Sequence, residues 1–209
     1  MRVIDLSRTV DKNMSGVNIL PAKELRTDGW NATTLQLYSH SGTHVDAPIH
    51  FGVSDVTIDQ MPLSDFYANA WIIDCEIKRP SALITTQHLD DKKAVVQKGD
   101  GLIFRTGWSN KYGTPAYRDE LPRLSEELAL WMVEIGIKMV GVEPPSVADV
   151  NNLREVTRIH KILLEGNVTI VEGLTNLEVL DHEKVILIAL PLKIKNGDGC
   201  PARAVAVME

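Results

Sequence analysis

The chain is expected to fold as a mixed α/β protein, a β-sheet core with flanking helices. A strand-like run at residues 102–106, a helical period after Ser125 and a second strand-like run at 138–143 follow one another, which is the alternation of that class. Hydrophobic residues make up 44% and charged residues 24% of 209 residues, enough for one substantial core. No internal repeat, low-complexity tract or linker-like stretch divides the chain, so residues 1–209 are expected to form a single domain.

The elements are expected in this order. Residues 2–10 read as a first strand, and 11–32, with Gly16, Pro21 and Gly29 and no clear period, as a long loop. Such a loop suits a lid or a partner-facing arm, with Trp30 either covering a substrate or pinning the loop to the core. Residues 33–38 alternate loosely like a strand; 51–66 look irregular, with a helical turn at LSDF. Ala70 to Ile77 is a strand ending at Pro80, and Thr86 caps a helix through about Val96. Ser125 caps a helix whose apolar positions are Leu128, Trp131, Met132 and Ile135 and which stops at Gly136. Residues 152–165 form a helix with Val156, Ile159, His160, Leu163 and Leu164 on one face, and 168–171 a strand that delivers Glu172. Val185 to Leu192 reads as a strand buried on both faces, the NG and DG pairs at 196–199 as turns, and 204–208 as the last strand.

A net charge of −6 and no basic cluster argue against nucleic-acid or anionic-membrane partners. Asp5 and Arg8 break the first apolar run, which therefore does not read as a signal peptide, and no run reaches membrane-spanning length. Cys75 and Cys200 form no CxxC pair; Cys75, within WIIDCEI, reads as a buried small hydrophobe, and a reducing cytoplasmic setting is expected. No GxGxxG, Walker or GxSxG pattern points to a nucleotide cofactor or a serine nucleophile.

The chemistry concentrates in HSGTHVDAPIH, residues 40–50, which holds three of the six histidines, His40, His44 and His50, together with Asp46. Imidazole and carboxylate suit zinc, manganese or ferrous iron. Gly42 and Pro48 oppose a continuous helix, whereas in an extended chain His44 and Asp46 share a side and a bend at Gly42 returns His40 toward them. The plainer alternative is a polar loop whose histidines make ordinary hydrogen bonds.

This stretch resembles the HxGTHxDxPxH signature of the cyclase-like metal hydrolases, the family of bacterial kynurenine formamidase (arylformamidase) and isatin hydrolase, and matches every fixed position. Further echoes are IDLSRTV near the start, FRTGW at 104–108, GVEPPSV at 141–147, IVEGLTNL at 170–177, and ALPLKI with GCPAR near the end. The resemblance implies the family's swivelling β/β/α type of fold and a divalent metal, Zn2+ or alternatively Mn2+, with one or two ions per subunit. It implies Asp46 as a bridging carboxylate, His40 and His44 on the first metal, and His160 and Glu172 on the second or, in a one-metal member, on water and substrate. It further implies amide hydrolysis, with N-formyl-L-kynurenine as substrate, or isatin, another cyclic amide or lactone, or a cyclisation. Homodimers or higher oligomers are its usual assemblies. Glu143–Pro144 departs from the Asp–Thr often found before PSV, which affects the pocket around Ser146. His50, just beyond the ligands, is expected to shuttle a proton, the alternative being a third imidazole ligand. Arg203 is expected to pair with a carboxylate of the protein, the alternative being a carboxylate of the substrate. A non-catalytic metal-binding protein is the rival class; it has no need of a proton shuttle.

Overall fold

The computed structural model describes residues 1–208. Twelve strands occur among them: β1 (Arg2–Asp5), β2 (Val17–Lys23), β3 (Ala32–Leu37), β4 (His44–Asp46), β5 (Tyr67–Asp74), β6 (Leu83–Ile84), β7 (Gly101–Arg105), β8 (Arg123–Leu124), β9 (Met139–Val142), β10 (Thr169–Glu172), β11 (Lys184–Pro191) and β12 (Gly199–Met208). The α-helices are α1 (Leu25–Asp28), α2 (Pro115–Asp119), α3 (Glu126–Ile135) and α4 (Leu153–Glu165).

The main sheet runs β1-β12-β11-β5-β7-β9-β10-β4, and a further β12–β4 pairing joins its ends, so that seven of the eight strands close into a barrel. The first residues of β12 pair with β4 and its last with β1, which makes β1 a continuation of the edge that β4 occupies. The β5–β7–β9–β10 ladder is parallel and the remaining pairs antiparallel, the mixed sheet expected.

Strand alternation divides the core. Ile103, Met139, Val171, Leu187 and Ala206 fill the barrel, with Val45 among them. Leu102, Phe104, Val140, Val142 and Ile170 point outward against Leu128 and Met132 of α3 and Ile159 and Leu163 of α4. Both helices begin as the sequence predicts: Ser125 Oγ accepts from the Leu128 N–H and Asn152 Oδ1 from the Glu155 N–H.

Four expectations need correction. Residues 11–32 are not a plain loop: β2 pairs with β3 in a hairpin, with Pro21 and its register shift masking the strand period. Trp30 neither covers a site nor anchors to the core, being 57% exposed beyond the hairpin. The segment after Thr85 is a 3₁₀ run, Thr86–Ala94, interrupted by a positive φ at Asp90, and Thr85 rather than Thr86 is its cap. Strand β11 buries Val185, Leu187 and Ala189 on one face only, because the helices cover the barrel beside β7, β9 and β10 instead. Among the described residues no helix is long and apolar enough to cross a membrane.

Candidate metal centre

Strand β4 is three residues long and fully buried because it is hydrogen-bonded on both sides. His44 lies opposite Glu172 of β10, and Asp46 opposite Gly199 of β12. Val45 faces the barrel interior, so the two-residue period turns His44 and Asp46 outward, toward α4. Gly42, with φ +63°, makes the bend that returns His40. Gly199 leaves room for that ring, since a Cβ there would lie 2.6 Å from His40 Cε1.

All five residues expected as ligands meet here. Asp46 Oδ1 lies 2.9 Å from His40 Nδ1 and 3.7 Å from His44 Nε2. Its other oxygen, Oδ2, is 3.5 Å from His160 Nε2, which is also 3.3 Å from Glu172 Oε1. His44 Nε2 lies 3.2 Å from Glu172 Oε2, which links the two halves. Ligand atoms of His44, Asp46 and Glu172 lie within 4.8 Å of one another, and so do those of His40, Asp46 and His50.

Several observations fit a cation. His160 Nδ1 is 2.7 Å from the Val156 carbonyl and His44 Nδ1 3.1 Å from the Gly42 carbonyl. Carbonyls only accept, so both Nδ1 atoms donate, and each neutral ring turns the Nε2 lone pair toward carboxylate oxygens. Lone pair against carboxylate is repulsive unless a proton or a metal ion lies between, and a backbone carbonyl on the far nitrogen is the usual support of a metal-ligating histidine. Asp46 Oδ2 is buried without a hydrogen-bond donor. Two carboxylates this deeply buried require a compensating charge.

Without metal the histidines supply that charge. Burial pushes the His40, His44 and His160 pKa values down, but hydrogen bonds and charges from Asp46 and Asp198, Glu172 and Asp46, and Glu172 and Asp46 respectively outweigh it, and all three end raised. Burial alone pushes Glu172 up, yet His160 and His44 hold it far below the carboxylate range. His50 goes the other way: burial and the neighbouring His40 and His160 rings lower its pKa against the pull of Asp46 and Asp198. It stacks on His40 with centroids 3.9 Å apart, and its Nδ1 is 3.6 Å from Asp198 Oδ2.

Asp198 escaped the sequence reading. It bonds His40 Nε2 at 3.2 Å, but in the sequence it is one residue of an NGDG turn. Glu143 is buried and takes the N–H groups of Thr106 and Trp108, and Ser146 Oγ accepts from the Ala148 N–H, so both serve local backbone. Arg203 pairs with Asp5, as expected.

Two imidazole–carboxylate sets sharing one buried aspartate, on the outside of a closed mixed barrel, form a candidate site for a divalent metal. A family model described as "Putative cyclase" matches residues 4–149. Kynurenine formamidases of Salinibacter ruber (strain DSM 13855 / M31) and Bacillus thuringiensis (strain Al Hakam) are 30% and 31% identical to this chain over 177 and 178 residues, covering 84% of it and 79% of each of them. An isatin hydrolase structure with the product analogue thioisatinate bound superposes with a TM-score of 0.88 at 25% identity, covering 99% of this chain and 92% of that one. The chain belongs to the cyclase family.

Proposed function

We propose that residues 1–209 act as a single metal-dependent amide hydrolase domain of arylformamidase type, converting N-formyl-L-kynurenine and water to L-kynurenine and formate. The observation that carries this reading is the division of Asp46: Oδ1 faces His40 and His44, and Oδ2 faces His160, the partner of Glu172. These five residues would hold one or two ions, Zn2+ or Mn2+. When bound, such an ion is a Lewis acid that brings the pKa of water from 15.7 to roughly 7 and polarises the amide carbonyl.

The protein's own residues do the rest. His50 has a lowered pKa and is therefore mostly neutral at pH 7, ready to take the proton of the attacking water. As the new C–O bond forms and the C–N bond breaks, the imidazolium returns that proton to the leaving aryl nitrogen. Asp198, near both His40 and His50, holds the two stacked rings in place. The likeness to an isatin hydrolase supports a second reading, opening of a cyclic amide or lactone.

The β2–β3 hairpin supports a homodimer or higher oligomer. A lone two-stranded hairpin is marginal in water, and this one region exposes Leu20, Leu25, Trp30 and Leu35. The two free, buried cysteines suit a cytoplasmic setting.

The test is an assay of the zinc- and manganese-loaded protein with N-formyl-L-kynurenine, isatin and simple lactones. Kynurenine release that chelation abolishes and metal restores is the expected result. Metal binding with no turnover of any substrate would make this a non-catalytic metal-binding protein. Light scattering that gives a monomer mass would remove the oligomer.

A further inference from the structure

Arg8 leaves β1 beside the metal-site segment. Its backbone N–H donates to Thr43 Oγ1 at 2.8 Å, and that hydroxyl donates to the Gly173 carbonyl at 2.7 Å, one residue beyond Glu172. The guanidinium lies over the Tyr112 ring, 4.0 Å from its centroid, and 5.1 Å from that of Tyr117. The Tyr117 hydroxyl is fixed by donating to the Glu143 carbonyl at 2.8 Å, and the next carbonyl, that of Pro144, accepts from the Gly173 N–H at 2.9 Å, so this aromatic wall adjoins the end of β10 that carries Glu172.

The Nε and Nη2 atoms of Arg8 are buried and make no hydrogen bond. They form the side-on edge of a guanidinium, the two parallel donors that match a carboxylate. Other arginines of the chain use that same edge in that way: Arg105 grips both oxygens of Asp74 and Arg203 both oxygens of Asp5. Asp11, the acid whose charge reaches Tyr112, accepts from the Asn13 N–H at 2.6 Å. A guanidinium stays charged, and a buried charge with unsatisfied donors is costly unless an anion completes it. Tyr112, the outer ring of this wall, is 38% exposed.

We propose that Arg8 is a specificity-determining residue: its Nε–Nη2 edge receives a carboxylate carried by the amide substrate, with Tyr112 and Tyr117 holding the guanidinium in place. The proposal rests on the amide-hydrolase reading and narrows it to aryl amides that carry a carboxylate.

Two measurements test it. Calorimetric titration of the metal-loaded protein compares anthranilate with neutral aniline, and is repeated after chelation so that binding through the metal is separated from binding through Arg8. The wild type is expected to bind anthranilate at least ~10-fold more tightly than aniline in both states, and Arg8→Gln to lose ~10- to 100-fold in anthranilate affinity. Arg158→Gln, which removes an equal charge from an exposed arginine of α4 that is paired with Glu126, should leave that affinity unchanged. The second measurement is the ratio of kcat/KM for N-formylanthranilate to that for formanilide, which should fall by a similar factor in Arg8→Gln.

If Arg8→Gln does not fold, Arg8→Lys keeps the charge without the paired edge and should show a partial loss. The wild-type comparison needs no variant at all. Equal binding of anthranilate and aniline, or an unchanged affinity and ratio in Arg8→Gln, overturns the assignment while leaving the hydrolase reading intact. Arg8-dependent anthranilate binding with neither formanilide cleaved supports the anion site and defeats the hydrolase reading instead.

Discussion

Replacing Asp46 with asparagine keeps its shape and removes the one charge shared by both donor sets. Its Oδ1 serves His40 and His44, and its Oδ2 faces His160, so the only set of two imidazoles and a carboxylate left without it is His44, His160 and Glu172. Glu172→Gln, by contrast, leaves His40, His44 and Asp46 together. An ion present at 100 times its Kd stabilises the folded chain by ~2.7 kcal/mol per site. At ~2–4 °C per kcal/mol for a chain of this size, that is a rise in Tm of ~5–11 °C for each occupied site. The wild type should show that rise in differential scanning calorimetry on adding Zn2+, Glu172→Gln should keep a reduced one, and Asp46→Asn, which takes a carboxylate from both sets, should show the smallest. Metal content by plasma mass spectrometry should follow the same order. An Asp46→Asn protein that keeps the full thermal rise and the wild-type metal content would refute the shared-carboxylate geometry.

The His50 ring is 24% exposed and flanks the cluster, so His50→Ala should retain the metal-dependent rise in Tm while kcat falls by ~10²–10⁴-fold; loss of metal together with activity would make it a ligand instead. In the metal-free protein, His40, His44 and His160 have pKa values raised above 6.5, so their stabilisation is complete below 6.5 and is lost as pH rises through the raised values; His50, lowered, opposes them as one group against three. Glu172 is lowered from 4.5, so its contribution is present above 4.5 and is lost on acidification; Tm of the chelated protein should therefore peak between 4.5 and 6.5, and a value that climbs steadily through pH 8 would contradict this. Gly173 has φ +71° and a Cβ there would collide with the Gly42 carbonyl oxygen, so Gly173→Ala should cost on the order of 3 kcal/mol in urea unfolding; an unchanged midpoint would show that the contact gives way freely.

Local signals made much of this protein legible. Ser125, Asn152 and Gly136 mark helix ends by side-chain caps and left-handed glycine, and these depend on a few neighbouring residues only. The His40–Asp46 cluster was legible for the same reason, because a dense run of ligand-type residues around a turning glycine has few other uses. His160 was harder: its place on the apolar stripe of α4 is shared by Ile159, Leu163 and Leu164, and only the resemblance to the cyclase-like hydrolases separated it from them. Arg8 and Asp198 gave no signal, since an arginine after a strand and an aspartate in a turn are common. Their roles arise from contacts 35 and 158 residues away along the chain. The β2–β3 hairpin was missed because its register shift and Pro21 erase the two-residue period, and because most of its apolar side chains face solvent rather than a core.

Closure of the barrel and assembly of the site are the same event. β4 is too short to hold a place in a sheet by its own pairing, and it is fixed by β10 on one edge and β12 on the other. Those two pairings set His44 against Glu172 and Asp46 against Gly199, while Thr43 ties the same segment to Gly173 and to Arg8. The donors thus come from three separate parts of the chain, residues 40–46, α4 and β10, and the pairing of β4 with β10 brings them together. A metal ion at this seam holds together the two edges of the barrel whose closure otherwise depends on a three-residue strand. The local opening that exposes β4 to hydrogen exchange should therefore be the one that metal suppresses most, ahead of the interior of β5 or β7, whose ladders do not pass through the site.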